Sequence, residues 1–209
     1  MTDSSLQTLI AGLADNKYFL GRRYAEWCTA APTLESAVAA AAMAQDEIGH
    51  ARSFYPVLRE VAGDSPENEA ETRTVFTNVP FLGEPFQSWT DFVAANFLFD
   101  TAITVLLESA RESSFNPLAQ RARRILEEEP LHWLHGEGWT RRLAATGDTV
   151  RNALDASFQK AGEQSLRWLE IASPDLRASD VLDTDAAELQ LRLRERLNPI
   201  LSTCGLSDL

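Results

Sequence analysis

Apolar positions recur at helical spacing along most of the chain. Leu6, Leu9, Ile10 and Leu13, continued by Phe19, Leu20, Tyr24 and Trp27, predict a helix over Leu6 to Cys28. Pro32 ends it, and Thr33 is placed to cap a second helix from Leu34 to Ala62, with Gly63 as its stop. Residues 64–88 are polar and carry Pro66, Pro80 and Pro85, so they read as a long connection. Ser88 caps a third helix, Trp89 to Glu112. Asn116-Pro117 opens a fourth with proline at its first position, where the missing N–H costs nothing; it runs to about Ala145, and Gly147 ends it. A fifth helix spans Thr149 to Ala172, with Pro174 after it, and a sixth spans Ala186 to Leu201. No segment shows the alternation and turn chemistry of a sheet.

The order is hairpin, long crossover, hairpin, then extra helices. It predicts an all-α protein, a ferritin-like four-helix bundle with one long crossover and additional C-terminal helices. One domain is expected over residues 1–209, with the core bundle at about 6–145 and the extra helices at about 149–203.

Two of the three histidines fall in Glu-x-x-His motifs, Glu47-Ile48-Gly49-His50 and Glu129-Pro130-Leu131-His132. Residues three apart share a helix face, so each motif aims a carboxylate and an imidazole at one point. Two such motifs facing each other in a bundle form the core of a di-iron or di-manganese carboxylate site. Glu47 to Glu129 and His50 to His132 are both 82 residues apart. Counting back through each hairpin places Lys17 beside Glu47 and Asp100 beside Glu129. The spacing thus predicts two equivalent triplets, Lys17/Glu47/His50 and Asp100/Glu129/His132, the first with a lysine where a carboxylate is expected. Asp46 lies one residue off the ligand face and suits a hydrogen bond to a histidine. His135, Trp133 and Trp139 read as packing residues, and Glu127 as surface.

Composition narrows the function classes. Hydrophobic residues make up 44% and charged residues 24%, ordinary for a globular chain. A net charge of −12 argues against nucleic acid or anionic membrane as partner. Arg121, Arg123 and Arg124 with Arg141 and Arg142 are the candidates for a local basic patch. The two cysteines, Cys28 and Cys204, form no Cys-x-x-Cys motif, and the N-terminal residues carry no signal pattern, so a reduced, cytoplasmic setting is expected. No apolar run is read as approaching the ~20 residues of a membrane span.

Ala31-Pro32-Thr33-Leu34, Gln45-Asp46-Glu47-Ile48-Gly49-His50, Phe99-Asp100 and Glu128-Glu129-Pro130-Leu131-His132 resemble the catalytic subunit of the phenylacetyl-CoA ring epoxidases, a ferritin-like multicomponent monooxygenase family. Leu13-Ala14-Asp15-Asn16, Glu26-Trp27-Cys28 and Gly138-Trp139-Thr140-Arg141-Arg142-Leu143 are closer to its structural partner subunit. The resemblance covers roughly residues 6–170. It implies metal ligands at Glu47, His50, Asp100, Glu129 and His132, with iron, one or two ions, or manganese as cofactor. It also implies a small organic or acyl-CoA substrate, a reductase, and a homodimer or a hetero-complex with a related subunit. The first-helix ligand of the catalytic subunit is a glutamate, and here it is Lys17.

That substitution defines the readings. Three carboxylates and one ammonium carry a formal −2, which one divalent cation neutralises. This predicts one metal in the Asp100/Glu129/His132 half, with Lys17 beside Glu47 as a catalytic residue of an oxygen-activating oxidase or monooxygenase. The alternative is a non-catalytic structural subunit in which a Lys17–Glu47 ion pair replaces the metal. Metal storage is the third reading, and nothing in the chain suggests a nucleation surface for it.

Overall fold

The computed structural model describes residues 2–63, 65, 68 and 71–209. Met1, Asp64, Pro66, Glu67, Glu69 and Ala70 lie outside the described residues, so the start of the predicted connection, Pro66 included, does too. Helices α1 (Thr2–Glu26) and α2 (Leu34–Ala62) form the first hairpin. The chain then crosses the bundle and makes a short helix, α3 (Pro80–Gly83). The second hairpin pairs a composite third rod with α6 (Asn116–Ala144). That rod consists of α4 (Trp89–Ala94), a π-helical turn (Ala95–Phe99) and α5 (Asp100–Ser109). The chain closes with α7 (Asp148–Trp168), a 3₁₀ turn (Leu169–Ile171), α8 (Pro174–Ala178) and α9 (Ala186–Thr203). No strand occurs among the described residues. The architecture is the all-α ferritin-like bundle that the helix pattern predicts.

The caps explain the helix boundaries. Ser36 N donates to Thr33 Oγ1 at 3.2 Å and Asp91 N to Ser88 Oγ at 3.3 Å, satisfying N–H groups that a helix start leaves unpaired. Gly63 stops α2 at φ 90°, in the left-handed region, while its N–H returns to Arg59 O. The π-helical turn and the short α3 and α8 carry no periodicity of their own and were not predicted.

The third rod, Trp89–Ser109, is long and apolar enough by composition to cross a membrane. This corrects the expectation that no run approaches that length. The reason is its place in the bundle: its most apolar stretch is 83% buried, because it is covered on nearly all sides. Phe92, Phe97, Phe99 and Leu106 on this rod pack with Leu13 and Leu20 of α1, Phe54 and Leu58 of α2, and Leu118 and Ile125 of α6 in one apolar core.

Two glycines set how closely the helices approach. A Cβ on Gly21 would lie 2.7 Å from Ile48 Cγ1, and one on Gly136 would lie 3.0 Å from Phe97 Cα. Both helix pairs carrying the buried polar residues can therefore close. The crossover is tied to α1 by Asp15 and Asn16. Asp15 accepts from Tyr55 Oη at 3.0 Å, Arg73 Nη2 at 2.9 Å, Thr77 N at 2.7 Å and Thr77 Oγ1 at 2.8 Å. Asn16 Oδ1 accepts from Val79 N at 2.9 Å.

The five arginines do not make one patch. Arg123 and Arg141 are 18 residues apart on α6, about 27 Å along a helix. Arg123 pairs with Glu112 and Arg141 with Glu137.

Candidate metal centre

Five of the six singled-out residues converge at the middle of the bundle. Lys17 comes from α1, Glu47 from α2, Asp100 from the first position of α5, and Glu129 and His132 from α6. All five are buried, Lys17 and Glu47 completely. The ammonium of Lys17 is the hub: Nζ donates to Glu47 Oε1 at 2.9 Å, Asp100 Oδ1 at 2.7 Å and Glu129 Oε1 at 2.8 Å. The sequence placed Lys17 beside Glu47. In the structure its three N–H bonds reach carboxylates of both halves, which matches the ammonium's three donors.

The imidazole of His132 closes the cluster. Its Nδ1 lies 2.9 Å from Asp100 Oδ2 and 3.2 Å from Glu47 Oε1, and its Nε2 lies 3.3 Å from Asp46 Oδ2 at the bundle surface. Asp46 is thus where its off-face register put it. His50 does not join. Its Nε2 bonds Glu128 Oε2 at 2.7 Å, and its Nδ1 stays 4.0 Å from Glu47 Oε2. Glu128 was missed as a partner because its pairing depends on how α2 lies against α6, which local spacing does not encode.

Local backbone features aim these groups. The N–H of Asp100 reaches back five residues to Ala95 O, so the π-helical turn sets the direction of the Asp100 carboxylate. Pro130 sits between Glu129 and His132 and has no N–H, which leaves the Leu126 carbonyl without its usual intrahelical donor. Thr104 Oγ1 lies 3.0 Å from Asp100 O and 3.3 Å from Glu129 Oε2. Asn96 Nδ2 donates to His132 O at 3.2 Å, and Asn96 Oδ1 meets His135 Nδ1 at 2.9 Å. Trp89 stacks on Phe92 and meets His135 and Trp139 edge to face, and Phe92 meets His135 likewise, one helical turn beyond His132. Asn96 and Thr104 carried no sequence signal beyond helical spacing.

Two grooves lead inward. One of about 570 Å³ runs between α5 and α6 and reaches Asp100, Glu129 and His132 past Thr104, Leu126 and Trp133. The other, about 440 Å³, lies between α2 and α6 over His50, Asp46 and Glu128.

The chain matches the family model described as "Phenylacetic acid catabolic protein" over residues 1–208. It belongs to the phenylacetic acid catabolic protein family. Its relatives include the C component of the 1,2-phenylacetyl-CoA epoxidase of Escherichia coli (strain K12). The two are 30% identical over 179 residues, 84% of this chain and 69% of the relative. By its name that relative is one member of a multi-subunit epoxidase.

This family member holds a buried set that could take a metal ion: Glu47, Asp100, Glu129 and His132 each offer one ligand atom, all within 4.8 Å of one another. The same space is claimed by Lys17 Nζ, at bonding distance from three of the four. A cation there and the ammonium are alternatives, since two positive charges would share one set of carboxylates. His50 completes no second set among the described residues: Glu128 engages its Nε2, and only its Nδ1 and Glu47 Oε2, 4.0 Å apart and buried without hydrogen-bond partners, remain. The residues present fit the ammonium and do not fit a pair of metal ions.

The electrostatics follow from that arrangement. Ammonium and imidazolium against three carboxylates leave one formal negative charge. Burial, then repulsion from Asp100, pushes the Glu129 carboxyl up to about 8, against the pull of Lys17. A proton retained there makes the cluster neutral. Burial works against the charged forms of Lys17 and Asp100 too, but their mutual attraction wins: Lys17 is raised well above its ordinary value and Asp100 falls well below the usual carboxylate range. Burial disfavours the His132 cation, yet its bonds to Asp100 and Glu47 lift it to about 11. Burial lowers His50, helped by the Lys17 charge, and lowers His135 to about 4.

These shifts set a pH profile. The folded chain keeps the Glu129 proton between about pH 4.5, where the unfolded carboxyl loses it, and about pH 8. At this site it binds one proton more than the unfolded chain, so Glu129 makes stability fall as pH rises through that window, while His135 and His50, lowered by folding, work the other way below about pH 6.5. His132 extends the decline from its unfolded value of 6.5 towards 11. The urea midpoint is expected to drop from pH 6.5 to pH 9, where Glu129 and His132 act unopposed. Glu129→Gln, which fixes the protonated shape, should flatten the part of the slope below pH 8; an unchanged slope would refute this assignment.

Proposed function

We propose that this chain is the non-catalytic structural subunit of a multicomponent monooxygenase of the phenylacetyl-CoA epoxidase type. The ammonium of Lys17 stands in it where an oxygen-activating subunit would hold metal. The observation that carries this reading is the set of three hydrogen bonds from Lys17 Nζ to Glu47, Asp100 and Glu129 at 2.7–2.9 Å. Such a centre holds the four helices together by charge and needs no ion. The kinship with the C component of the bacterial epoxidase supports the reading. The proposed partner is a related subunit that has the full carboxylate set and acts on the aromatic acyl-thioester, with a reductase supplying electrons.

The test is elemental analysis of protein produced with excess iron or manganese. The wild-type chain should carry no stoichiometric metal of either kind, while Lys17→Glu, which supplies a fourth carboxylate, should take metal up. Stoichiometric iron in the wild type, with dioxygen-dependent oxidation by the chain and a reductase alone, would instead support the oxygen-activating reading, with Glu47, Asp100, Glu129 and His132 as ligands.

A further inference from the structure

The groove of about 570 Å³ between α5 and α6, to whose lining α9 adds Arg196, has the size of a small-molecule site. Its two walls differ in character. Leu126, Pro130, Trp133 and Leu134 line it from α6, at offsets of four, seven and eight residues, so they form one apolar stripe. Leu134 is 64% exposed, and Leu126 and Trp133 are half-buried, so no element of the chain fully covers the stripe. Thr101, Thr104 and Glu108 line the groove from α5, and Arg111 stands just past the end of that helix. These side chains also recur at helical spacing and make the facing wall polar.

One charge in this groove is uncommitted. Of the acidic side chains that line it, Asp100 and Glu129 accept from Lys17 Nζ at 2.7 and 2.8 Å. Glu108 takes Arg196 Nη2 with both carboxylate oxygens, at 2.8 and 3.0 Å. Glu112, next to Arg111 in the chain, pairs instead with Arg123 at 2.7 Å. Arg111 is exposed, and among the described residues no carboxylate lies within ion-pair distance of it. The groove thus offers an apolar wall along its length and one free guanidinium at its Glu108 end.

These features define the occupant. A guanidinium matches a carboxylate with two parallel N–H···O bonds. The apolar stripe takes the rest of the ligand: from Thr101 to Glu108 is seven residues, about 10 Å of helix, the length of a medium-chain acyl group. A cation fits worse, because it would meet Arg111 while the acidic oxygens are already bonded. A coenzyme A thioester fits worse too, because its several phosphate charges would find one free arginine.

We propose that the α5/α6 groove binds a small amphipathic monocarboxylate, its apolar body along Leu126, Trp133 and Leu134 and its carboxylate on Arg111. This goes beyond the structural-subunit reading and does not rest on it. The probe is octanoate, added to the full-length chain and followed by calorimetry and by the thermal midpoint, with octanol, octylammonium and octanoyl-coenzyme A as comparisons. Octanoate should bind one to one and raise the midpoint. Octanol should bind roughly tenfold more weakly, for want of the charged hydrogen bonds, and octylammonium and the thioester should also bind more weakly than octanoate. Arg111→Ala should lower octanoate affinity to that of octanol and leave octanol binding unchanged, while Leu134→Asp should weaken both. Both positions are exposed, so the midpoints of the unliganded variants should stay close to wild type. Octanoate that fails to bind, or that binds Arg111→Ala as well as wild type, would overturn the proposal. Tighter binding of octanoyl-coenzyme A, or of octylammonium, would overturn the assigned ligand class.

Discussion

Lys17→Met is expected to cost the isolated chain about 3–5 kcal/mol of unfolding free energy near pH 7, as breaking a buried ion pair from one side does. Methionine keeps the length and apolar stem of lysine and removes the charge. Glu47, Asp100 and Glu129 then face one another across a buried centre with only His132 opposing them. The folded variant relieves this by taking up protons that the unfolded chain no longer holds above about pH 4.5. Its deficit should therefore grow as pH rises and shrink towards pH 5. A divalent cation that enters the vacated position should restore part of the loss. Urea denaturation of both proteins across pH 5–8, with and without manganese, reads all three effects. A deficit below about 1 kcal/mol that ignores both pH and manganese would mean that Lys17 is not the hub of the cluster.

The second large effect lies at the other side of the same helix. Asp15→Ala should cost about 3–5 kcal/mol, because Asp15 is fully buried and one carboxylate holds three parts of the molecule. Its removal strands the Tyr55 hydroxyl and the Thr77 N–H and takes away the carboxylate to which Arg73 Nη2 donates at 2.9 Å. Asn16 still holds Val79 N, so the loss should centre on the crossover near Arg73 and Thr77. Urea denaturation measures the total, and the rate of proteolysis in residues 71–79 locates it. Global loss without faster cleavage there would place the role of Asp15 elsewhere. The Leu13-Ala14-Asp15-Asn16 stretch, read in the sequence as a mark of kinship, acquires here a physical task.

Much of the fold could be read before any coordinate. Thr33, Ser88 and Pro117 act within one helical turn, so their capping roles are local, and the structure finds each at its helix start. Lys17 and Asp100 could be paired with Glu47 and Glu129 by counting back through each hairpin, because the rise per residue is the same on both arms. The π-helical turn before Asp100 could not be read. It replaces i→i−4 bonds with longer ones where α6 presses its Gly136 against Phe97, and that contact joins residues far apart in sequence. The apolar rod Trp89–Ser109 misled the reading for the same reason: its burial on nearly all sides is a tertiary fact, whereas the amphipathic stripe of an ordinary surface helix is a local one.

The sequence by itself determined the helix order, the bundle, and five of the side chains that meet at its centre, because three-residue spacing and capping chemistry are local. Only the tertiary structure decided what the centre is. Lys17 Nζ takes one oxygen from each of three carboxylates, and His50 turns away to Glu128. Charge neutrality in a desolvated core is a property of four helices at once, and no spacing along one of them reveals which cation will satisfy it.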